Sequence, residues 1–178
     1  MKDDVSMNNV IIRRATKEDV NDVIEFCKLV GSETDNLSYG NEGVGSNVER
    51  ISKYLDDVYN SDRAVFLIAI VNNKIVGYAE YASLFKKRLS HRGDMGIAVL
   101  NEYQGKGIGS NLMKELIEYV KNEIKAEIIS LEVRTDNLTA ISLYKKYDFE
   151  KIGFYKGFMK INNEYIDCDL MNLYLNNK

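Results

Sequence analysis

The residues best suited to chemistry form a glycine-rich run that leads into a predicted helix. The run extends from Gln104 to Ser110 and reads Gln-Gly-Lys-Gly-Ile-Gly-Ser, directly after a short apolar segment. The first N–H groups of a helix have no partner within the helix, and that end carries partial positive charge. Glycines allow a phosphate to approach the backbone closely. The run therefore predicts a site for a phosphate or a diphosphate.

Three phosphate-binding patterns can be compared with this run. The nucleotide P-loop requires Gly-x-x-x-x-Gly-Lys-Ser/Thr, a spacing that the run lacks. The dinucleotide fingerprint Gly-x-Gly-x-x-Gly is met at Gly105 and Gly107, but its third position is Ser110. The pattern Gln-x-x-Gly-x-Gly is met by Gln104, Gly107 and Gly109. Taken alone, these glycines also fit a purely structural turn into a helix.

The neighbouring segments make the pattern more specific. The strand-like Ile97-Ala98-Val99 precedes the run, and Leu131-Glu-Val-Arg-Thr-Asp-Asn137 follows its helix. Tyr144 lies seven residues beyond Asn137. This series of segments resembles the GNAT superfamily of N-acetyltransferases. The resemblance is strong over residues 94–149, and elsewhere it rests on the order of predicted elements.

The resemblance implies a fold, a cofactor and its contacts. The fold class is α/β (α+β), a mixed and mostly antiparallel sheet of six to seven strands with helices on both faces and splayed central strands. Acetyl-coenzyme A would enter the gap between the splayed strands. The backbone of Ile97-Ala98-Val99 would pair with the pantetheine arm of the cofactor, and the glycine-rich run would hold its diphosphate. Asn137 would contact the cofactor while also capping a helix. The predicted cofactor-binding residues are Ile97, Ala98, Val99, Gln104, Gly105, Lys106, Gly107, Ile108, Gly109, Ser110 and Asn137.

The implied reaction moves an acetyl group from the thioester to a primary amine by direct transfer in a ternary complex. Neutralising an alkylammonium of pKa 10.4 at pH 7 costs about 4–5 kcal/mol, so a base is needed. Glu132 is the first candidate base, because Leu-Glu-Val-Arg resembles the ribosomal-protein alanine acetyltransferases, and Glu80 is the second. Tyr144 is the candidate general acid for the leaving thiolate. Each residue also has a plain structural alternative, as an ordinary strand residue or a packed helix aromatic.

The hydrophobic pattern predicts the elements that must position these residues. Residues 17–30 form a helix that Gly31 stops, and residues 47–59 form another. Between them, residues 31–47 contain four glycines and several acids, typical of a functional loop. The continuous apolar run 64–71 predicts a strand buried on both faces. Further strands are predicted at 10–14, 75–84, 94–100, 127–133, 149–158 and 164–175, and further helices after the glycines and at 136–147. Asn72-Asn73 and Asn162-Asn163 predict the turns of two hairpins.

Three positions depart from the family pattern, one at Asn101 and two in the stretch 147–149. Asn101 stands where many members carry proline. Tyr147-Asp148-Phe149 replaces a common Leu-Gly-Phe. Since aspartate adopts the left-handed conformation less readily than glycine, we expect the turn at Asp148 to differ.

Composition and length limit the number of domains and the classes of function that the chain can have. A length of 178 residues with 45% hydrophobic residues predicts one N-acetyltransferase domain over residues 1–178. A net charge of −3 argues against sequence-independent nucleic-acid binding. Two distant cysteines and one histidine predict neither a metal site nor a disulfide. The opening residues lack an apolar signal core, and no long apolar run occurs, so we expect no membrane association and a cytoplasmic location.

The acceptor amine is left open at this point. Glu132 favours a protein N-terminus, whereas the loop 31–47 favours a small-molecule amine. A homodimer is possible, because family members often dimerise. The alternative function is a non-catalytic acyl-coenzyme A-binding or regulatory module, against which the presence of Tyr144 argues.

Overall fold

A computed structural model of the protein describes residues 9–175. The opening residues behind the signal-peptide argument and the last three residues of the predicted domain lie outside this range. The described chain folds into a sheet with helices on both faces. The strands are β1 (Ile11–Arg14), β2 (Ala64–Val71), β3 (Lys74–Ser83), β4 (Arg92–Val99), β5 (Ile128–Arg134), β6 (Glu150–Ile161) and β7 (Glu164–Tyr174). The α-helices are α1 (Val20–Glu33), α2 (Val48–Tyr59), α3 (Ile108–Tyr119) and α4 (Leu138–Lys146).

The sheet has seven strands in the order β1-β2-β3-β4-β5-β7-β6. All neighbouring strands are antiparallel except β4 and β5, which are parallel. That parallel pair is short, since only residues 92–94 of β4 pair with residues 128–130 of β5. Beyond this point the two strands separate. The predicted fold class, including the splayed central strands, is confirmed.

The sheet separates two hydrophobic cores. Alternate residues of β2 point to opposite faces, so Val65 and Leu67 pack with α3 while Phe66 and Ile68 pack with α1 and α2. This confirms that the apolar run 64–71 is a strand buried on both faces. The two cores hold α1 and α2 on one side of the central strands and α3 on the other, and this arrangement fixes what lines the gap between β4 and β5.

The turns confirm some predictions and correct others. The pairs Asn72-Asn73 and Asn162-Asn163 adopt positive φ angles in the hairpin turns, as expected. Gly31 does not stop α1, which continues to Glu33. A β-carbon at Gly31 would lie 2.0 Å from the carbonyl oxygen of Gly40, so the glycine serves close packing. Asp148 adopts a φ of 64°, the left-handed conformation in which glycine is common, so the expected change of turn is not found.

Several plain findings accompany the fold. Within residues 9–175, no helix is long and apolar enough to cross a membrane. The same part of the chain has no group of three His, Cys, Asp or Glu side chains placed to hold a metal ion. Cys27 and Cys168 are both buried free thiols, and His91 is exposed.

Candidate functional site

The separation of β4 from β5 opens a cavity of about 540 Å³, which we call the strand cleft. One wall is the end of β4, and the facing wall comes from β5 and α4. The glycine-rich run closes one end. Most of the predicted cofactor-binding residues therefore meet in one place. The cleft residues among them are Ile97, Ala98, Val99, Gln104, Gly105, Gly107, Gly109, Ser110 and Asn137.

The backbone of β4 presents unpaired groups to this cleft. In an antiparallel pair, successive residues point their N–H and C=O groups to alternate sides. Leu100 donates to Val76 and Leu84 to Arg92, which places the backbone groups of Ala98 on the β3 side. The backbone groups of Ile97 and Val99 consequently face the cleft, where no β5 residue pairs with them. Ala98 lines the cleft without offering such groups.

The start of α3 supplies further free donors. Asn111 donates to the carbonyl of Gly107, closing the first helical turn. The N–H groups of Ile108, Gly109 and Ser110 precede that bond and have no intrahelical acceptor. Gly107 reaches this position with a φ of 84°, which glycine adopts without strain. Three main-chain donors thus converge at one helix end.

Side chains brace this loop from behind. The amide of Gln104 donates to the carbonyl of Val99 and to the side chain of Asn101, both at 3.0 Å. Lys106 lies over the ring of Tyr103, and its side chain does not line the cleft. The Ile108 side chain is buried in the core. For Lys106 and Ile108, any contact with a diphosphate would therefore come from the backbone.

The loop has room for a ligand at its glycines. A β-carbon at Gly105 would meet no atom within 4 Å. One at Gly109 would lie 3.8 Å from Leu143 and Val99, an ordinary contact distance to two residues that also line the cleft. These glycines leave the space in front of the free N–H groups open. The residues present fit an anionic group such as a diphosphate.

The far wall carries Asn137 and Tyr144. Asn137 caps α4, where its side chain accepts a hydrogen bond from the N–H of Ala140 at 3.2 Å. Tyr144 is buried against Phe149, with ring centroids 5.6 Å apart. Burial raises the pKa of Tyr144 to about 12, so its hydroxyl stays protonated at neutral pH.

A second cavity, of about 780 Å³, lies on the α1/α2 side of β3 and β4. We call it the tyrosine pocket, because Tyr39, Tyr54, Tyr78 and Tyr81 line it. Asn36, Leu37 and Ile97 line both this pocket and the strand cleft. The two cavities are therefore adjacent and meet at β4.

Glu80 is the carboxylate at the wall of the tyrosine pocket. Its Oε2 accepts a hydrogen bond of 3.1 Å from the hydroxyl of Tyr54. Desolvation raises its pKa above the ordinary carboxyl value, and the Tyr54 bond partly opposes this. Across the strand pair, Glu80 lies opposite Gly96, whose missing side chain leaves the carboxylate room. No lysine or arginine of the described chain forms a salt bridge with it.

Glu132 is placed differently. It lies on β5, opposite Leu170 of β7, and it is exposed. Partial burial and the nearby charge of Asp94 raise its pKa. Asp94 lines the tyrosine pocket, whereas Glu132 lines neither cavity. The structure therefore brings Glu80 and Tyr144 to the two adjoining cavities but leaves Glu132 to one side.

The loop between α1 and α2 roofs the tyrosine pocket and is tied down at several points. Asn101 donates its backbone N–H to the carboxylate of Glu33 at 2.8 Å, a bond that proline at this position could not make. Arg134 donates to the carbonyl of Asp35 at 3.2 Å. Gly43 packs directly on the backbone of α1. The loop is thus fixed both to β5 and to the segment that precedes the glycine-rich run.

Cys27 lines the tyrosine pocket, which its position in the sequence did not suggest. Burial raises the pKa of this thiol to about 11. At neutral pH it is therefore almost entirely protonated and is a weak nucleophile.

Sequence reasoning missed most of this pocket. Tyr39, Tyr54, Tyr78, Asp94 and Arg50 come from a loop, a helix and two strands, and none belongs to a recognisable motif. The available signals were weak. The sequence predicts a functional loop at 31–47 and a candidate base at Glu80, but nothing in the sequence indicates that they meet.

Residues 36–149 match the sequence profile of the Acetyltransferase (GNAT) family. An L-amino acid N-acetyltransferase of Escherichia coli is 37% identical over 105 residues, which cover 59% of this chain and 65% of that protein. An N-alpha-acetyltransferase of Saccharolobus solfataricus is 33% identical over 155 residues, covering 83% of this chain and 84% of that protein.

A solved structure agrees over nearly the whole chain. The crystal structure of an acetyltransferase from Streptococcus pneumoniae superimposes with a TM-score of 0.89 at 30% identity. The match covers 93% of this chain and 99% of that one. The similarity therefore covers the fold as a whole and is not confined to the glycine-rich run.

Proposed function

The chain belongs to the GNAT family of N-acetyltransferases, which use acetyl-coenzyme A, and we propose that it binds this donor in the strand cleft and the acceptor amine in the tyrosine pocket. The observation that carries the proposal is the junction of the two cavities at Ile97. A donor and an acceptor that approach from opposite faces of the sheet would meet there.

The strand cleft has the donors that a coenzyme A diphosphate requires. The free N–H groups of residues 108–110 would hold the diphosphate, supported by the partial positive charge of the helix end. The backbone of Ile97 and the N–H of Val99, which no β5 residue pairs with, would pair with the pantetheine arm as an added strand does. When bound, acetyl-coenzyme A supplies an acetyl group activated as a thioester.

Glu80 is the better placed of the two candidate bases. It lines the pocket that opens toward Ile97, whereas Glu132 lines neither cavity. Its raised pKa brings it closer to neutrality, where a general base is most effective. Glu80 would accept a proton from the acceptor ammonium, either directly or through one water.

Two further groups would act on the donor side. The N–H of Ile97 faces the cleft and would donate to the carbonyl oxygen on which charge develops. Tyr144 keeps its proton at neutral pH because its pKa is about 12. Since a thiol has a pKa near 8.5, Tyr144 would stabilise the leaving sulfur chiefly as a hydrogen-bond donor.

Direct transfer is the route that these residues favour. The cysteine nearest the reaction is Cys27, and its pKa of about 11 makes it a poor acyl acceptor at neutral pH. The acetyl group would pass to the amine without a covalent enzyme intermediate. A homodimer and a cytoplasmic location stay predictions.

The test measures thiol release from acetyl-coenzyme A in the presence of amines, together with mass spectrometry of the products. We expect acetylated amine to accumulate in equal amount with free coenzyme A. Binding of acetyl-coenzyme A without transfer to any amine would support the non-catalytic alternative. An absence of binding by calorimetry would contradict the placement of the donor in the strand cleft.

A further inference from the structure

The tyrosine pocket contains one cation among its described lining residues, and it is Arg50 on α2. Its guanidinium donates to the carbonyl of Val44 in the roofing loop at 2.6 Å. A guanidinium has five N–H donors, so this bond leaves others available. Arg50 is also exposed, which places it at the solvent edge of the pocket.

Arg50 and Glu80 line the same pocket. Tyr54, whose hydroxyl bonds to Glu80, follows Arg50 by four residues on α2. Residues four apart lie on one helix face, about 6 Å from each other. The pocket therefore has both a carboxylate and a guanidinium in its lining, and α2 connects them through Tyr54.

Apart from Arg50, Glu80 and Asp94, the wall is uncharged and largely apolar. Phe66 stacks on Tyr78 with centroids 5.2 Å apart, and Tyr54 meets Phe66 edge to face. Val23 and Ile51 also line the pocket. Such a wall binds an apolar or aromatic body, and the tyrosine rings are attractive to a nearby ammonium.

We infer that the acceptor is a free α-amino acid with an apolar or aromatic side chain, and that Arg50 determines this specificity by binding its carboxylate. The inference rests on the proposed function, because it places the amine beside Glu80. The ammonium would lie at Glu80 and the carboxylate at Arg50, and the side chain would pack on the ring cluster. A protein N-terminus has an amide in place of this carboxylate and would leave the guanidinium without its partner.

The loop supports a small acceptor. It is bonded to Asn101 through Glu33 and to Arg134 through Asp35, and it packs on α1 at Gly43. A folded protein substrate would have to pass its terminus beneath this fixed roof. A free amino acid needs no such path.

The experiment compares L-phenylalanine with L-phenylalaninamide and with a peptide that begins with phenylalanine. The α-amino group of a peptide has a pKa of about 7.7–8.0, so more of it is deprotonated and intrinsic reactivity favours the masked forms. A preference for the free acid must therefore come from binding. We expect the free acid to have a kcat/KM at least about tenfold higher, as expected for one hydrogen bond to a charged group.

Substitution of Arg50 tests the assignment. Arg50→Met should raise the KM for the free acid and so reduce the ratio of kcat/KM for the acid to kcat/KM for the amide to below about threefold. Arg50→Lys should keep part of the preference for the acid. Lys53→Met removes the same charge from an exposed position on α2 and should keep the full ratio. Because Arg50 also holds the roofing loop, the KM for the amide in each variant reports any loosening of the pocket.

The outcomes separate the two proposals. No transfer to any amine would overturn the proposed function itself. Transfer without preference for the free acid, or a preference that survives Arg50→Met, would overturn only the role of Arg50. A preference that weakens at high salt would agree with an exposed guanidinium.

Discussion

The strand cleft and the tyrosine pocket meet at Ile97, yet main-chain groups line the first and side chains line the second. The cleft offers main-chain N–H groups from a strand and a helix end that adjoin in the sequence. The pocket offers side chains from a loop, two helices and three strands. Under the proposed function, the backbone of the cleft would hold the donor and the side chains of the pocket would select the acceptor. Substitutions in the two regions should therefore change different constants.

The largest effect is expected from Glu80→Gln in the pocket. Loss of a general base should lower kcat/KM by about 100-fold or more, while the Kd for acetyl-coenzyme A changes less than about twofold. In the variant, the fall of kcat/KM at acidic pH that protonation of Glu80 causes should disappear. An unchanged profile, or a loss of cofactor affinity, would contradict the separation of the two regions.

The same substitution has a stability readout. The pKa of Glu80 is higher in the folded protein than in the unfolded chain, so the folded state favours the protonated carboxyl. This contribution to the free energy of unfolding is complete below the ordinary carboxyl pKa of about 4.3. It is lost as the pH rises through the raised pKa, where the buried carboxyl must ionise. Glu80→Gln removes this loss. Thermal denaturation should find the variant more stable than the wild type at pH 8 and similar at pH 4.

Tyr144→Phe, on the wall that α4 contributes to the strand cleft, should have the second-largest effect on turnover. Removal of one charge-assisted hydrogen bond should lower kcat by about 10- to 100-fold and leave cofactor affinity nearly unchanged. Stopped-flow or steady-state kinetics with a saturating donor would measure this. Wild-type turnover in the variant would remove Tyr144 from the mechanism.

Gly109→Ala tests the backbone site by itself. Alanine is favoured over glycine in a helix, and the added methyl would meet Leu143 and Val99 at 3.8 Å, so the fold should be kept. The methyl would occupy space in front of the free N–H groups, and we expect the Kd for acetyl-coenzyme A to rise about tenfold. Lys114→Ala, on the exposed face of the same helix, is the matched control. Equal affinities in the two variants would contradict the diphosphate site.

The smallest effect is expected from Glu132→Gln. Its side chain is exposed and lines neither cavity, so kcat/KM should fall less than about threefold. The test compares kcat/KM of the Glu132→Gln and Glu80→Gln variants with the same acceptor amine. A larger loss at Glu132 than at Glu80 would reverse the choice of base and would extend the acceptor region toward β5.

The sequence determined by itself what depends on neighbouring residues. The strand, the turn and the helix around the glycine-rich run are local, so their spacing predicted this order of elements and the family, and the anion site at the run stays a prediction. The continuous apolar run 64–71 predicted a strand buried on both faces, and the paired asparagines predicted two hairpin turns. In each case the residues that form the feature are also the residues that signal it.

Tertiary structure decided what depends on distant contacts. The extension of α1 through Gly31 follows from the approach of Gly40, and the bond from Asn101 to Glu33 joins positions 68 residues apart. The choice between Glu80 and Glu132 likewise depends on which strand faces a cavity, since both are glutamates on predicted strands. Side-chain sites of this kind form when the sheet brings separate segments together, and no local pattern records that geometry.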